Sequence, residues 1–213
     1  MKKASLKWSA ALLMILLFLT AQSVKAQEFG NYHFGIRGGV GMATLNGYQN
    51  NGLRLGLAAG VCGVLDIRNN QSVIAELNYS KGGQQTERWI TNESEEIKEY
   101  SRFSLHYLNI PVLYQYYFTD ILGLEGGMNF RYCMSGVLNT KIGNESWHDE
   151  VFSKDDYNTF DFGIIIGVYT QNLIPQENFS VSLRAYFGFL DVVKNVSSNK
   201  NMSVQVSVAY MLF

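Results

Sequence analysis

The chain has 213 residues, with 17 Lys and Arg against 18 Asp and Glu, a net charge of −1, 20 Gly, 13 Tyr and 13 Phe, but two Pro and two Cys. This balance offers no basic face for nucleic acid, and two Cys do not make a disulfide framework. Beyond the first stretch of the chain, no run of about 18 apolar residues exists to cross a membrane as a helix.

The N-terminus reads as a targeting segment. Lys2, Lys3 and Lys7 form a positive region, an apolar run from Ala10 to Leu19 follows, and Val24-Lys25-Ala26 suits a signal peptidase. Residues 1–26 are therefore expected to be a cleaved signal peptide, with residues 27–213 as one domain. The alternative, a retained anchor helix, would need a longer run of about 20 apolar residues. No Cys follows the run, which argues against a lipoprotein anchor. Cleavage removes four Lys and no acid, so the mature chain carries −5.

The rest alternates with period two, the signature of strands with two different faces. In chain order, one face collects Phe34, Ile36, Val40 and Met42, then Leu53, Leu55, Leu57, Ala59 and Val61. Val73, Ala75, Leu77 and Tyr79 follow, with Ile74 off the pattern, and then Leu108 to Phe118 at every second residue. Leu122 to Met134, Phe160 to Val168, Phe179 to Phe189 and Met202 to Leu212 complete the set. These eight segments are long enough for tilted membrane strands, which need about 9 to 11 residues. Connections at 68–70, 119–120 and 172–177 are short. Residues 83–102 and 137–156 read as long polar loops, and 45–51 and 191–200 as intermediate ones. Short turns on one side and longer loops on the other fit an outer-membrane barrel with periplasmic termini.

The opposite face carries Arg37, Arg54, Glu76, Glu125, Arg131, Asp161 and Arg184, whereas the apolar face carries almost no charge. A soluble, lipocalin-like barrel would put its apolar face inside. Charge on the minor face reverses that, and the expected fold is all-β: an eight-stranded antiparallel up-and-down transmembrane β-barrel with a polar lumen. So narrow a barrel is filled by side chains. The seven charges are expected to pair into one network, because unpaired buried charge is costly. An ion path is the alternative. Cys62 and Cys133 both point inward near opposite ends and are expected to be free thiols.

The motifs Phe34-Gly35-Ile36-Arg37-Gly38-Gly39 with Leu45-Asn46, Glu76-Leu77-Asn78-Tyr79-Ser80-Lys81-Gly82, Tyr107-Leu108-Asn109-Ile110-Pro111-Val112-Leu113 with Tyr116-Tyr117-Phe118, and Asp161-Phe162-Gly163 with Gly167 resemble the PorT-like outer-membrane β-barrel family of Bacteroidota. The resemblance covers residues 27–213. It implies a small barrel, and for the family's named member an accessory role in protein secretion. That family usually places an acid and a Lys where Asn109 and Gln115 stand, so a carried-over ion pair with Glu76 is weakened. Phe213 ends the chain as barrel-insertion machinery would read it. It lies on the opposite parity from the apolar face, and Met211 replaces the usual aromatic two residues earlier.

Catalytic chemistry is poorly supported. His33 and His106 lie near strand ends. Ser146, His148 and Glu150 are neighbours in one loop and do not assemble an oriented base. Gly38-Gly39-Val40-Gly41 precedes no helix and is no phosphate cradle. No cofactor or metal set is expected. Residues 83–102 carry −2 and residues 137–156 carry −3, with Trp89 and Trp147 one in each. They are candidates for an interaction surface, as Trp often anchors interfaces, or for solvated loops with each Trp at the membrane interface. Expected partners are outer-membrane lipid and lipopolysaccharide, the insertion machinery, and a surface or secretion protein. A non-enzymatic structural or accessory barrel comes first, then a small-solute channel, then a lipid-modifying enzyme.

Overall fold

The computed structural model describes residues 31–46, 51–92, 95–143, 146–151, 156–171, 178–194 and 199–212. The expected signal peptide, the 172–177 turn and Phe213 lie outside the described residues. The elements are β1 (Tyr32–Leu45), β2 (Asn51–Gly52), β3 (Arg54–Arg68), β4 (Gln71–Asn92), β5 (Glu95–Tyr117), β6 (Leu122–Ile142), β7 (His148–Val151), β8 (Phe160–Gln171), β9 (Phe179–Asp191) and β10 (Lys200–Met211). Eight of them pair in the order β1-β3-β4-β5-β6-β8-β9-β10, and β1 pairs β10 to close the ring. All these pairings are antiparallel.

The register fixes the barrel's dimensions. Met42 lies opposite Val204, then Ala185, Ile166, Gly126, Tyr114, Val73 and Leu65, and the path returns to β1 at Tyr32, ten residues before its start. A shift of ten residues around eight strands tilts each strand by roughly 40°, from the rise per residue and the strand spacing. The lumen of such a ring is just wide enough for side chains to fill.

The faces follow the sequence pattern. Ile36, Val40, Leu55, Leu57, Val61, Val112, Leu124, Ile166, Leu183 and Val206 point outward and are exposed, Leu55 by 71%. Aromatic rings border this apolar wall at two levels. Tyr32, Phe34, Tyr116, Phe118, Phe179 and Tyr210 ring the end that holds the termini. Tyr79, Phe130, Tyr132, Phe160, Phe162 and Phe189 ring the other. An apolar band about 25 Å tall between aromatic girdles is the outer surface of a membrane barrel. Ile74, which breaks the alternation in sequence, is fully buried in the lumen.

The loops depart from expectation. Residues 83–102 are not a loop. β4 and β5 continue as one hairpin, paired from Gln71–Tyr116 to Asn92–Glu95, and β6 stays beside β5 as far as Ile142. β8 stops pairing β6 at Tyr132, so the outer half of β6 pairs β7 instead. The three long strands thus project past the ring as a lip, with β2 beside β4 at Gln85 and Thr86. Polar composition misled the reading, because a strand that leaves the membrane no longer needs an apolar face. Gly83 sits at the root of the lip with φ +128°, a conformation natural only to glycine.

One substitution tests the wall. Val206→Arg, near the middle of the apolar band, is expected to cost about 2–4 kcal/mol in denaturant unfolding from lipid. Gln85→Arg, on the lip, is expected to change stability by less than about 0.5 kcal/mol.

Candidate functional site: the lumen and its plug

Inward-pointing residues of the ring build two charged layers. The first joins β1, β4, β6 and β9. Arg184 grips Glu125 with two hydrogen bonds, Nε to Oε1 at 2.6 Å and Nη2 to Oε2 at 2.9 Å. Its Nη1 donates to Glu76 Oε2 at 3.0 Å, and Nη2 lies 2.9 Å from Glu76 Oε1. Arg37 approaches the same Glu76 oxygen through Nε at 3.0 Å, and its Nη1 donates to Ser182 at 2.7 Å and Ser207 at 3.0 Å. Asn78 donates to Glu76 at 2.7 Å and Gln115 to Glu125 at 3.0 Å. β4 and β9 stand opposite each other in the ring. The Arg184–Glu76 contact therefore spans the full width of the lumen.

The sheet leaves space for that fork at Gly167. A Cβ there would sit 3.2 Å from both Arg184 Cγ and Glu125 Oε1. Glycine in this strand serves close side-chain packing.

The second layer lies nearer the lip. Arg131 is held between the rings of Tyr107 and Tyr186, with its guanidinium carbon 3.9 Å and 4.6 Å from their centres. Such stacking favours a cation removed from water. Arg131 Nε donates to Asn109 at 2.9 Å, Nη1 lies 3.9 Å from Asp161, and the Tyr186 hydroxyl donates to Asp161 at 2.8 Å. Asn109 and Gln115, the amides that break the PorT-like pattern, thus each join a layer. Asn201 donates to the Tyr107 hydroxyl at 3.2 Å, a second link between opposite strands.

Two corrections follow. The seven charges do not form one ion-pair network, although Asn109, which donates to the Asn78 C=O and accepts from Arg131, ties the two layers by hydrogen bonds. Six of them make two groups of balanced charge, and Arg54 stands apart near the lip. Its Nε and Nη1 are buried and have no hydrogen-bond partner among the described residues. Nor is the lumen only polar. Cys62, Val64, Ile74, Leu113, Ile165, Tyr186 and Ala209 form one apolar cluster inside it. Leu45, Leu105, Tyr107, Cys133, Tyr157 and Val192 form another.

The second cluster acts as a plug. Tyr157 and Val192, 1% and 2% exposed, come from connections that fold inward across the lip end of the lumen. Backbone bonds fix them: Tyr157 bridges Val193, Asn158 N–H donates to Val192 C=O, and Lys194 N–H to Asp156 C=O. Their polar neighbours in sequence hid this role. Each end holds a cavity of about 200 Å³: one at the lip end lined by Leu45, Gln84, Phe103, Leu138 and Val193, and one at the terminal end lined by His33, Arg37, Asp66, Gln115 and Tyr169, where His33 pairs Asp66 at 3.1 Å.

The remaining sequence candidates lie elsewhere. Cys62 and Cys133 are both buried thiols, and the Cys133 thiol donates to the Ser135 C=O at 3.6 Å. Trp89 and Trp147 are exposed on the lip, Trp89 against Lys98 and Trp147 against Arg102, at 4.8 Å and 4.2 Å from ring centre to cation. Ser146 and His148 are exposed beside Trp147. His106 is hydrogen-bonded to Tyr79 on the outer wall. Among the described residues, no group of three metal-binding side chains occurs.

With this geometry the chain can be compared with known proteins. It belongs to the outer membrane protein beta-barrel domain family, whose model matches residues 20–194. It is an outer-membrane β-barrel protein. Among solved structures it is similar to Neisserial surface protein A, with 11% identity over 83% of this chain and 96% of that one at a TM-score of 0.46. It is also similar to the attachment invasion locus protein Ail of Yersinia pestis, with 11% identity, 85% and 99% coverage and a TM-score of 0.43. A third is OprG of Pseudomonas aeruginosa, with 11% identity, 87% and 97% coverage and a TM-score of 0.39. No curated protein matches the chain.

The first layer sets the expected cost of disturbance. Glu76→Gln leaves Arg37 and Arg184 facing each other without their shared anion. Breaking a buried pair in this way costs about 3–5 kcal/mol. Unfolding in lipid should show that loss.

Proposed function

We propose that the protein is a non-enzymatic barrel that does not conduct and that carries the lip as an interaction surface outside the cell. The observation behind this reading is the crossed and plugged lumen. Arg184 and Glu76 meet across its full width, and Tyr157 and Val192 cover its lip end. A small-solute channel would need a continuous wet path between these groups. A lipid-modifying enzyme would need a nucleophile held beside an oriented base. Among the described residues, no hydrogen bond joins Ser146 to His148.

The orientation belongs to the same proposal. Tight turns at 69–70 and 118–121 lie at the terminal end, as periplasmic turns do, and the long lip lies at the other. Both termini are then periplasmic, and insertion machinery would read β10 and the Phe213 that follows it. The motifs shared with the PorT-like group support placing the chain near that group, with an accessory role, secretion included, exercised through the lip. Trp89 and Trp147 are the anchors we assign to the contact, since exposed Trp is enriched at binding hot spots.

Planar-bilayer recordings of the purified protein are expected to show no steady conductance; large sustained currents would overturn the reading. Photo-crosslinkers placed at Trp89 and Trp147 in whole cells are expected to trap a discrete protein adduct. Replacing Tyr186, inside the lumen, should trap none.

A further inference from the structure

The inner face of the lip ends in a cavity of about 200 Å³. Gln84, Phe103 and Leu138 form one row of its wall across β4, β5 and β6, and Thr86 and Ser101 form the next. Leu45 and Val193 line it beside the cluster that holds Tyr157 and Val192. A dry cavity of about 150 Å³ already takes a benzene ring, so this one has room for a single apolar side chain. Its polar groups, Gln84, Thr86 and Ser101, all stand on the hairpin of β4 and β5.

A cation without a counter-ion stands beside it. Arg54 is the rung partner of Ala43, which is buried and faces the lumen, whereas Leu53 and Leu55 on either side of Arg54 are exposed and point outward. Ala43 is two residues from Leu45 on the same face of β1. That is about 7 Å along the strand, within reach of an extended arginine. The other six inward charges are balanced within their layers. Among the described residues Arg54 has no carboxylate partner, its Nε and Nη1 are buried without a hydrogen bond, and the charge acting on it is the like charge of Arg102. A guanidinium withdrawn from water in this way is stabilised by an arriving anion. Lipid headgroups do not supply that anion, because they meet the outer wall and Arg54 faces the barrel axis.

We propose that this corner binds the C-terminal residue of the lip's protein partner. The carboxylate meets Arg54, the apolar side chain enters the cavity, and the last peptide groups meet Gln84, Thr86 and Ser101. An anion and an apolar group one side chain apart are what a C-terminal Leu or Phe presents, and the amides before it match the polar side of the cavity. The inference rests on the reading of the lip as an interaction surface outside the cell, and it names what that surface takes.

The test uses the purified protein in phosphatidylcholine nanodiscs and a labelled peptide, Gly-Ser-Gly-Ser-Phe, followed by fluorescence anisotropy. The free carboxylate is expected to bind about tenfold more tightly than the C-terminal amide, as the loss of one charged hydrogen bond dictates. Arg54→Gln should remove that preference and leave the affinity for the amide unchanged. It should not lower stability in unfolding from lipid, because the charge it removes has no partner to lose. Leu138→Trp, which fills the cavity, should weaken both peptides about tenfold, and so should a terminal Ser in place of Phe. Equal binding of acid and amide, or a preference that survives Arg54→Gln, overturns the proposal. Phenylpropionate bound as tightly as the peptide overturns the assignment to a protein terminus. Ser146→Cys labelled by an impermeant maleimide on whole cells separates the inference from the reading beneath it. Labelling without a preference for the carboxylate sinks only the inference, and absence of labelling sinks the outward lip.

Discussion

Backbone pairing is the constraint on which the rest of this structure depends. Hydrocarbon offers no water to an unpaired N–H or C=O, so a sheet that crosses it must have no open edge. β1 and β10 meet that demand by pairing along eleven consecutive rungs, from Gly35–Met211 to Leu45–Asn201. Closure in turn fixes the number of strands, the ten-residue shift and the width of the lumen. A lumen that narrow brings opposite walls within reach of a single arginine.

The charged interior follows from that width. Each inward charge has lost most of its water, and such a charge is tolerated only with partners. Arg184 satisfies this by reaching both Glu125 on β6 and Glu76 on β4. Arg37 takes Glu76 and two serines, and Arg131 takes Asp161 and two tyrosine rings. The first group and the Arg131–Tyr186 stack tie strands that the backbone ladder does not join, whereas Arg131 and Asp161 are rung partners on β6 and β8. The layers are cross-braces as much as charge balance, and they close the lumen as a by-product. Above them Tyr157 and Val192 pack with Leu45, Leu105, Tyr107 and Cys133 at the lip end of the lumen.

The lip obeys a different solvent. Beyond the girdle at Tyr79 and Tyr132, β4, β5 and β6 no longer need an apolar outer face, and charged residues appear on both sides of the sheet. The ring holds the hairpin's base while its far end reaches away from the membrane. A closed barrel that presents an open sheet is suited to display a surface rather than to pass a solute. The band fixes the depth at which the lip leaves the membrane.

The sequence alone determined the strand count, the direction of each face and the identity of the inward charges. All three follow from period-two alternation, which any strand between lipid and a polar core must show. It also marked Ile74 as an exception, without saying that the residue packs inside. Tertiary structure alone decided the rest. Which arginine meets which carboxylate depends on register and on which strands face each other across the ring, and alternation carries neither. That is why Arg54 was grouped with the others although the barrel leaves it apart. Residues 83–102 read as a loop, and Tyr157 draws no reading at all, for a related reason. Polarity in sequence records the solvent a residue meets. It does not record whether its backbone is paired, nor whether a single aromatic ring from a polar connection folds back into the core.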